Sequence, residues 1–383
     1  MESVRMGGVQ VNVFAPLWEL EQGALNQIGA ASQHPFAVGP VAVMPDCHQG
    51  YGVTIGTVLM TNGVIIPNAV GVDIGCGVTF MKTGRNFYET TDSMWRSIGS
   101  EIRDRVPVGF NWHDKPILKE GELIQNADLR YSNHPDRVFT QFGTLGGGNH
   151  FLEYLVDEET GSVWIAVHSG SRGFGHDIAT HFAAVAKEQN AGGGVDLESL
   201  SLNSTAGKEY VHYLNIASKY ASESRKHMLR SLLTTLDKYT YGRVANNDVI
   251  DVPHNYATID KGIALHRKGA VSAMKGQVGI IPGSMGTATY VTVGKGNKES
   301  LYSSSHGAGR RMSRSQAKKN ISLDDFSESL SGTYSSATAG TIDESPQAYK
   351  DIDTVISQQA DCISIKHVLK PILTIKGGGR DEG

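Results

Sequence analysis

The first hundred residues alternate between apolar and polar positions in a way that predicts one helix followed by several strands. Residues 17–31 have the periodicity of a helix, and residues 36–44 alternate as a strand does. The runs 53–60 and 65–72 are β-branched and almost continuously apolar, which is typical of strands buried on both faces. The pattern therefore predicts a sheet in this part of the chain.

Helical periodicity dominates the middle of the chain. Residues 91–106 carry an apolar stripe, and Asp92 or Ser93 is the expected N-cap. The helical pattern returns over residues 177–241. Between them, residues 107–137 are polar and rich in Pro, His and Asn, so we expect a surface insertion that wraps a substrate.

Further predicted strands end in polar, glycine-rich loops. They lie at residues 163–167, 248–252, 278–282 and 290–293. No internal repeat and no biased linker marks a boundary between domains. The pattern thus predicts an α+β (mixed α/β) fold in a single domain over residues 1–377, with central sheets, flanking helices and an active site at the glycine-rich strand ends.

Composition and charge exclude several classes of protein. The 383 residues include 45 glycines, and a net charge of −4 argues against a surface built for nonspecific nucleic-acid binding. Cys47, Cys76 and Cys362 are too few for a disulfide framework, so we expect a reducing, cytoplasmic setting. No apolar run is long enough for a membrane span, and we expect no membrane contact.

A turn around His306 is the first candidate site. Residues 303–309 place this histidine between serines and glycines, after apolar residues typical of strands. Residues 310–320 are predicted to be helical, which places Arg310 and Arg314 on one face of a helix. Backbone N–H groups at a helix start favour an anion, so the stretch indicates phosphoryl or nucleotidyl transfer. An ordinary turn with a solvated histidine is the alternative.

Metal-ligand residue types recur at the glycine-rich loops. Asp73 and Cys76 lie three residues apart, and glycines beside Cys76 permit a bend that presents both side chains to one ion. On ligand chemistry alone, zinc or iron is expected before manganese. A bridging thiolate flanked by imidazoles and a carboxylate suits two ions. The candidates are Asp73, Cys76, His150, His168, His254 and His306.

Seven motifs, in order, resemble those of the RtcB family of tRNA-splicing RNA ligases. They are residues 45–52 (PDCHQGYG), 72–77 (VDIGCG), 148–151 (GNHF), 168–173 (HSGSRG), 254–256 (HNY), 283–286 (GSMG) and 305–310 (SHGAGR). The likeness spans nearly the whole chain and ends at residues 375–377. It implies a GTP- and manganese-dependent ligase that joins RNA 3′-phosphate or 2′,3′-cyclic phosphate ends to 5′-hydroxyl ends.

The resemblance also implies a role for each matched residue. His306 would carry GMP as a guanylyl-histidine, with Asp46 orienting its ring. Two Mn²⁺ ions would be held by Asp73, Cys76, His150, His168 and His254. GTP would be held by Asn149, Glu153, Asn255, Ser284, Thr289, Ala308, Gly309, Tyr349 and Lys376. The RNA terminal phosphate would be held by Arg172, Arg310 and Arg314.

Two matters stay open on the sequence. The chain continues past the family's usual end, and we expect residues 378–383 to be a flexible tail that either crowds the nucleotide site or is harmless. A dinuclear metal phosphoesterase, a nucleic-acid 3′-end capping enzyme and a non-catalytic RNA-end binding protein are the alternatives to a ligase. We expect a monomer, and an activating protein partner is compatible with the sequence.

Overall fold

Two large β-sheets form the centre of the protein. The computed structural model describes residues 1–119, 121–189, 196–240 and 248–378. The first sheet has six strands, which across the sheet are β1 (Glu2–Arg5), β2 (Gln10–Val13), β3 (Val41–His48), β4 (Ile55–Asn62), β12 (Ile263–Lys268) and β11 (Asn255–Asp260). The β2–β3 pair is parallel. The register of β3 against β4 shifts between Val43 and His48, and this irregular stretch contains Asp46.

The second sheet has seven strands and carries most of the candidate site. Across the sheet they are β10 (Ile250–Pro253), β6 (Gly77–Asn86), β8 (Ser162–Ser169), β7 (Phe151–Asp157), β17 (Ile363–Ile375), β15 (Thr289–Gly294) and β14 (Val278–Ile281). All six neighbouring pairs are antiparallel. Two small sheets complete the strands: β5 (Val64–Ile65) with β9 (Leu200–Ser201), and β13 (Ala270–Ser272) with β16 (Ser303–Ser305).

The described residues form nine α-helices, of which the third and the sixth pack on one face of the second sheet. The helices are α1 (Gln22–Ser32), α2 (Pro67–Val70), α3 (Asp92–Arg105), α4 (Pro135–Gln141), α5 (Arg172–Glu188), α6 (Thr205–Tyr239), α7 (Arg314–Asn320), α8 (Leu323–Ser329) and α9 (Ile352–Gln358). Apolar side chains of α3 and α6, such as Trp95, Ile98 and Leu232, pack with Ile165 and Val167 of β8 in one core. This burial stabilises the packing of the helices on the sheet, because each Å² of apolar area removed from water contributes about 25 cal/mol to the free energy of folding.

The predicted mixed α/β fold is confirmed, with differences at several elements. The prediction of a strand over residues 65–72 is wrong. Only Val64–Ile65 is a strand, because Pro67 begins the short helix α2, whose first turn suits proline. The cap of α3 is Thr91, whose side chain accepts from Met94 N, and not Asp92 or Ser93.

The long helical pattern and the polar insertion also differ from expectation. Helices α5 and α6 are separate, and β9 lies between them. Within residues 107–137, Leu118, Ile124 and Leu129 are buried against α5 and α6, so this segment packs on the helices instead of lying wholly on the surface. The expected flexible tail lies outside the described residues except for Gly378. No helix in the described part of the chain is long and apolar enough to cross a membrane.

Candidate metal and nucleotide site

The candidate metal ligands meet at one end of four adjacent strands. His254 directly follows β10, Cys76 directly precedes β6, and His168 lies next to the end of β8. His150 directly precedes β7. The register brings these ends together, because Gly77 pairs with both Pro253 and Ser169 across the sheet. Antiparallel pairing thus places four distant parts of the chain at one edge.

Cys76 lies at the centre of these side chains. Its Sγ is 3.4 Å from His150 Nε2 and 3.3 Å from His168 Nε2. On one side, His168 Nε2 is 3.3 Å from His254 Nε2, and on the other His150 Nε2 is 3.1 Å from Asp73 Oδ2. The side chains form two groups of three, and both groups contain Cys76. This is the arrangement expected of a thiolate shared by two ions.

The donor atoms suit metal binding. Burial lowers the pKa of His168 and of His254 well below the usual imidazole value, so both rings are neutral and carry a lone pair at neutral pH. His150 Nδ1 lies 3.0 Å from the carbonyl oxygen of Leu145 and donates to it, and this bond orients the ring so that Nε2 points to Asp73 and Cys76. Burial, followed by the charge of Asp73, raises the pKa of the Cys76 thiol, and a bound cation reverses this because coordination deprotonates a thiol.

A second set of contacts holds the loops that carry these ligands. Arg225 of α6 is buried and donates from Nη1 to the carbonyl oxygens of Gly75 and Ser169, at 2.6 and 2.8 Å. Its Nε and Nη2 donate to the carboxylate of Asp251, at 2.9 and 3.0 Å. Gly75 precedes Cys76 and Ser169 follows His168, so one guanidinium fixes both loops.

His306 lies beside the Cys76 group and is paired with Asp46. It directly follows β16, and its ring centroid is 4.8 Å from that of His254. Its Nδ1 lies 2.6 Å from Asp46 Oδ2 and donates to it. Burial opposes ionisation of Asp46, but the facing His306 holds the pKa of this carboxyl below its ordinary value. A neutral His306 therefore keeps Nε2 as the nitrogen with a free lone pair.

The predicted helix over residues 310–320 is wrong at its start, and the turn at His306 binds a different anion from the predicted one. Helix α7 begins at Arg314, because Ser313 and Gln316 form a capping box. Arg310 instead forms a β-bridge with Tyr349. The backbone N–H groups of His306 and Gly307 donate to Asp46 Oδ2, at 3.1 and 3.3 Å. The anion at this turn is thus a carboxylate of the protein itself.

A cavity of about 1000 Å³ joins His306 to the metal-ligand cluster and to the matched nucleotide residues. Among the predicted residues, its wall includes Asp73, Asn149, His150, Glu153, His168, Ser284, His306, Ala308, Gly309, Arg310, Arg314, Tyr349 and Lys376. It also includes His48 and Gln49, to which the sequence assigned no role. Burial lowers the pKa of His48 to about 4, so this ring is neutral at neutral pH.

Glu153 points from β7 into a buried polar niche. Its carboxyl accepts from Thr374 Oγ1 at 2.7 Å and from Thr289 Oγ1 at 3.5 Å. Burial raises the pKa of Glu153 to about 7. Glu153 is 2% exposed, yet it forms part of the cavity wall. A ligand in the cavity could therefore donate hydrogen bonds to the remaining lone pairs of its carboxyl group.

The matched basic residues Arg310, Arg314 and Lys376 share an acidic partner that sequence reasoning missed. Glu344 is 2% exposed and forms ion pairs with all three side chains. Tyr349 also donates to it, at 2.6 Å. The local signal was weak, since Glu344 stands five residues before Tyr349 in a stretch to which no strand or helix pattern was assigned.

Six predicted residues are absent from the cavity wall in the described part of the chain. Asp46, Cys76 and His254 contact the wall residues His306, His150 and His168, respectively. The other three are Arg172, Asn255 and Thr289. Arg172 donates from Nη2 to the carbonyl oxygen of Gly109 at 3.2 Å, and its charge helps to lower the pKa of Asp73. The amide of Asn255 donates to the carbonyl oxygen of Asp73 at 3.2 Å, so it fixes the ligand loop. Thr289 is buried against Glu153. These three act on the site through neighbouring groups in the structure as it stands.

The sequence belongs with proteins of one described family. The family model for the tRNA-splicing ligase RtcB matches residues 27–377. RNA-splicing ligase RtcB of Escherichia coli (strain K12) is 38% identical, with 94% of this chain and 95% of the relative covered. The tRNA-splicing ligases RtcB of Aeropyrum pernix and Thermococcus kodakarensis are 32% and 31% identical, and each comparison covers 88% of this chain and 87% of the relative. The chain therefore belongs to the RtcB family.

Proposed function

We propose that the protein is a GTP- and Mn²⁺-dependent RNA ligase that joins RNA 3′-phosphate or 2′,3′-cyclic phosphate ends to 5′-hydroxyl ends. The observation that carries the proposal is the His306–Asp46 pair, which adjoins the Cys76-centred ligand cluster and shares one cavity with it. The RNA ligase activity is the one named for its relatives. We place the reaction in the cytoplasm, in keeping with three free, buried cysteines.

In the first step, His306 acts as the nucleophile. Its Nε2 lone pair attacks the α-phosphorus of GTP, a P–N bond forms, and the bond to the bridging oxygen breaks to release pyrophosphate. The Asp46 carboxylate keeps the Nδ1 proton in place and stabilises the positive charge that develops on the ring. The product is a guanylyl-histidine on His306.

The metal ligands would be Cys76, shared between two ions, with His168 and His254 on one side and Asp73 and His150 on the other. Bound divalent ions supply charge stabilisation for phosphate oxygens during displacement. Thiolate and imidazole ligands also suit zinc, and we assign manganese on the family resemblance. Elemental analysis of the purified protein separates the two metals.

Guanine recognition is assigned to Glu153 and its neighbours. An ionised carboxylate accepts both the N1–H and the exocyclic amine of guanine, whereas N1 of adenine is itself an acceptor. Lys376 lies on the same wall and is suited to the O6 oxygen, and the ring of Tyr349, which also lines the cavity, is assigned to stacking on the base. Together these contacts favour GTP.

Arg310 and Arg314 are assigned to the RNA 3′-phosphate, because guanidinium groups bind phosphate oxygens in a bidentate way. A phosphate oxygen of the RNA end attacks the guanylyl-histidine and breaks its P–N bond, which gives an RNA-3′-pp-G end. The 5′-hydroxyl of the second RNA then attacks the 3′-phosphorus and gives up its proton to solvent. A new P–O bond forms, the bond from this phosphorus to the bridging oxygen breaks, and GMP leaves. A cyclic phosphate end requires prior hydrolysis to the 3′-phosphate.

The test is labelling with [α-³²P]GTP and Mn²⁺, followed by addition of RNA ends. We expect an acid-labile, alkali-stable protein–GMP adduct and then sealed RNA. His306→Ala should lose both, while His212→Ala, at an exposed position of α6, should keep both. An adduct that persists in His306→Ala would overturn the nucleophile. Labelled RNA ends without sealing would favour a capping enzyme, and RNA binding without label a binding protein.

A further inference from the structure

Glu344 lies behind the cavity wall and connects two groups of wall side chains. Each of its carboxylate oxygens has a separate set of partners. Oε1 accepts from Arg314 Nη1 at 2.7 Å and from Arg310 Nη1 at 3.3 Å. Oε2 accepts from Lys376 Nζ at 2.7 Å and from Tyr349 Oη at 2.6 Å. One carboxylate therefore contacts four side chains that come from three separate parts of the chain.

The charges around Glu344 depend on one another. Three cations, Arg310, Arg314 and Lys376, surround two carboxylates, those of Asp343 and Glu344. Although burial opposes ionisation, the three cations hold the pKa of Glu344 at about 2, so this residue is charged at neutral pH. Without it, the cations would face one another at low dielectric, where like charges repel strongly. The cluster keeps one excess positive charge for an anionic ligand.

The two carboxylate oxygens of Glu344 bind side chains to which different functions are assigned above. Arg310 and Arg314, on Oε1, are the residues assigned to the RNA 3′-phosphate. Lys376 and Tyr349, on Oε2, are assigned to the guanine base. Lys376 is held further by the carbonyl oxygen of Asn149, at 3.1 Å. The base contacts and the phosphate contacts are thus oriented by a single buried carboxylate.

We propose that Glu344 is a positioning residue that orients the guanine-reading and RNA-end-binding side chains together, so that its loss weakens both GTP selection and capture of the RNA end. This role rests on the ligase function proposed above. Glu344 itself touches neither substrate. It acts by fixing rotamers of long side chains, whose freedom otherwise costs binding energy when a ligand orders them.

Glu344→Gln tests the proposal, because glutamine keeps the size but loses the charge and replaces one acceptor with a donor. We expect a higher KM for GTP and a GTP-to-ATP ratio of labelling efficiency that falls roughly tenfold or more, as is typical when hydrogen bonds to a charged group are lost. Transfer of GMP from pre-labelled protein to an RNA 3′-phosphate end should show a comparable rise in half-saturating RNA concentration. A role in folding alone would leave the nucleotide ratio unchanged.

Asp343→Asn is the matched control from the same cluster. The Asp343 carboxylate contacts Arg314 at 2.6 Å, whereas Arg310 is bound by its backbone oxygen, which the substitution keeps. We therefore expect weaker RNA-end capture in Asp343→Asn with the parent's GTP-to-ATP ratio. Glu344→Asp retains the charge with a shorter reach, so it should recover part of both losses. It also carries the test if Glu344→Gln fails to fold.

The outcomes separate this inference from the function on which it rests. If the parent protein forms no GMP adduct, the ligase assignment fails and the positioning role falls with it. If the parent is labelled normally and folded Glu344→Gln keeps both its nucleotide ratio and its RNA-end concentration dependence, only the positioning role is overturned. A change in one quantity without the other would refute the coupling between base and phosphate contacts.

Discussion

At the scale of single residues, the role proposed for Glu153 predicts that nucleotide choice depends on pH. Burial raises the pKa of its carboxyl to about 7, and only the ionised form accepts both guanine donors. As pH falls through about 7 the carboxyl is protonated and becomes a donor, so the GTP-to-ATP ratio of labelling efficiency should fall. Above this range the ratio should level off. Initial labelling rates with both nucleotides at saturating Mn²⁺ measure it.

Glu153→Gln supplies the control for this pH dependence. Its side chain does not titrate, so the ratio should be low and constant over the same range, with an unchanged metal content. The use of a ratio removes effects of pH on His306 and on the metal ligands, which act on both nucleotides alike. A ratio in Glu153→Gln that equals the parent's and follows pH in the same way would show that Glu153 does not read the base.

Cys76 provides a second prediction at this scale. Because its Sγ belongs to both ligand groups, Cys76→Ser should lower bound metal from about two ions per chain toward one or none, since a hydroxyl is a weaker ligand than a thiolate. Alkylation of Cys76 should be slow with metal bound and faster after chelation. Cys362→Ser changes a buried cysteine in another core cluster and should keep both ions. Retention of two ions by Cys76→Ser would contradict a bridging thiolate.

Residue types in the sequence predicted much of this site, but not its acidic partner. Asp73 and Cys76 were identifiable because they are close in sequence and flanked by glycines, and their approach to three histidines is observed. Glu344 was missed because its partners lie at positions 310, 314, 349 and 376, and no local pattern marks a carboxylate that such distant residues share.

At the scale of elements, local capping and apolar periodicity decided which predictions held. The strand β8 and the helix α3 were found because each carries an apolar pattern of the right period. The start of α7 was misplaced, although the capping box of Ser313 and Gln316 is a local signal that marks it. Because α7 begins four residues later than predicted, Arg310 lies in a β-bridge and not on a helix face.

Arg225 of helix α6 provides a further prediction, because it binds the two segments that carry candidate metal ligands. Arg225→Met removes a buried cation and leaves Asp251 without its charge partner, so we expect a loss of about 3–5 kcal/mol in the free energy of unfolding. Metal affinity should fall as well, because the loops at Gly75 and Ser169 lose their shared donor. Chemical denaturation and metal titration measure the two effects.

Lys226→Met is the matched control for Arg225→Met. Lys226 is the next residue of the same helix, and its ion pair with Glu223 is partly exposed. Such a pair contributes about 0–1 kcal/mol, so both stability and metal affinity should stay close to those of the parent. Equal effects of the two substitutions would show that Arg225 has no special part in holding the ligand loops.

At the scale of the whole molecule, the order of the strands in the sheet brings the site residues together, and this order could not be predicted from local sequence patterns. Strand β17, near the end of the described chain, lies between β7 and β15. This insertion brings Lys376 to the carbonyl oxygen of Asn149, more than 200 residues away, at 3.1 Å. Apolar periodicity gives the existence of each strand, but pairing depends on packing between distant segments, which local patterns do not encode.

The same long-range assembly leads to a prediction for the stability of the whole protein. The candidate ligands come from residues 73–254, and four of the five lie at the ends of four strands of one sheet. Ions that bind only the folded chain should therefore stabilise it against unfolding. By mass action, each ion at a hundred times its Kd adds about 2.7 kcal/mol. Tm should therefore rise with Mn²⁺ concentration and fall on chelation, measured at fixed protein concentration. Cys362→Ser should keep this metal response and Cys76→Ser should lose most of it. A Tm in the parent that is independent of Mn²⁺ would contradict a structural linkage between the ions and the fold.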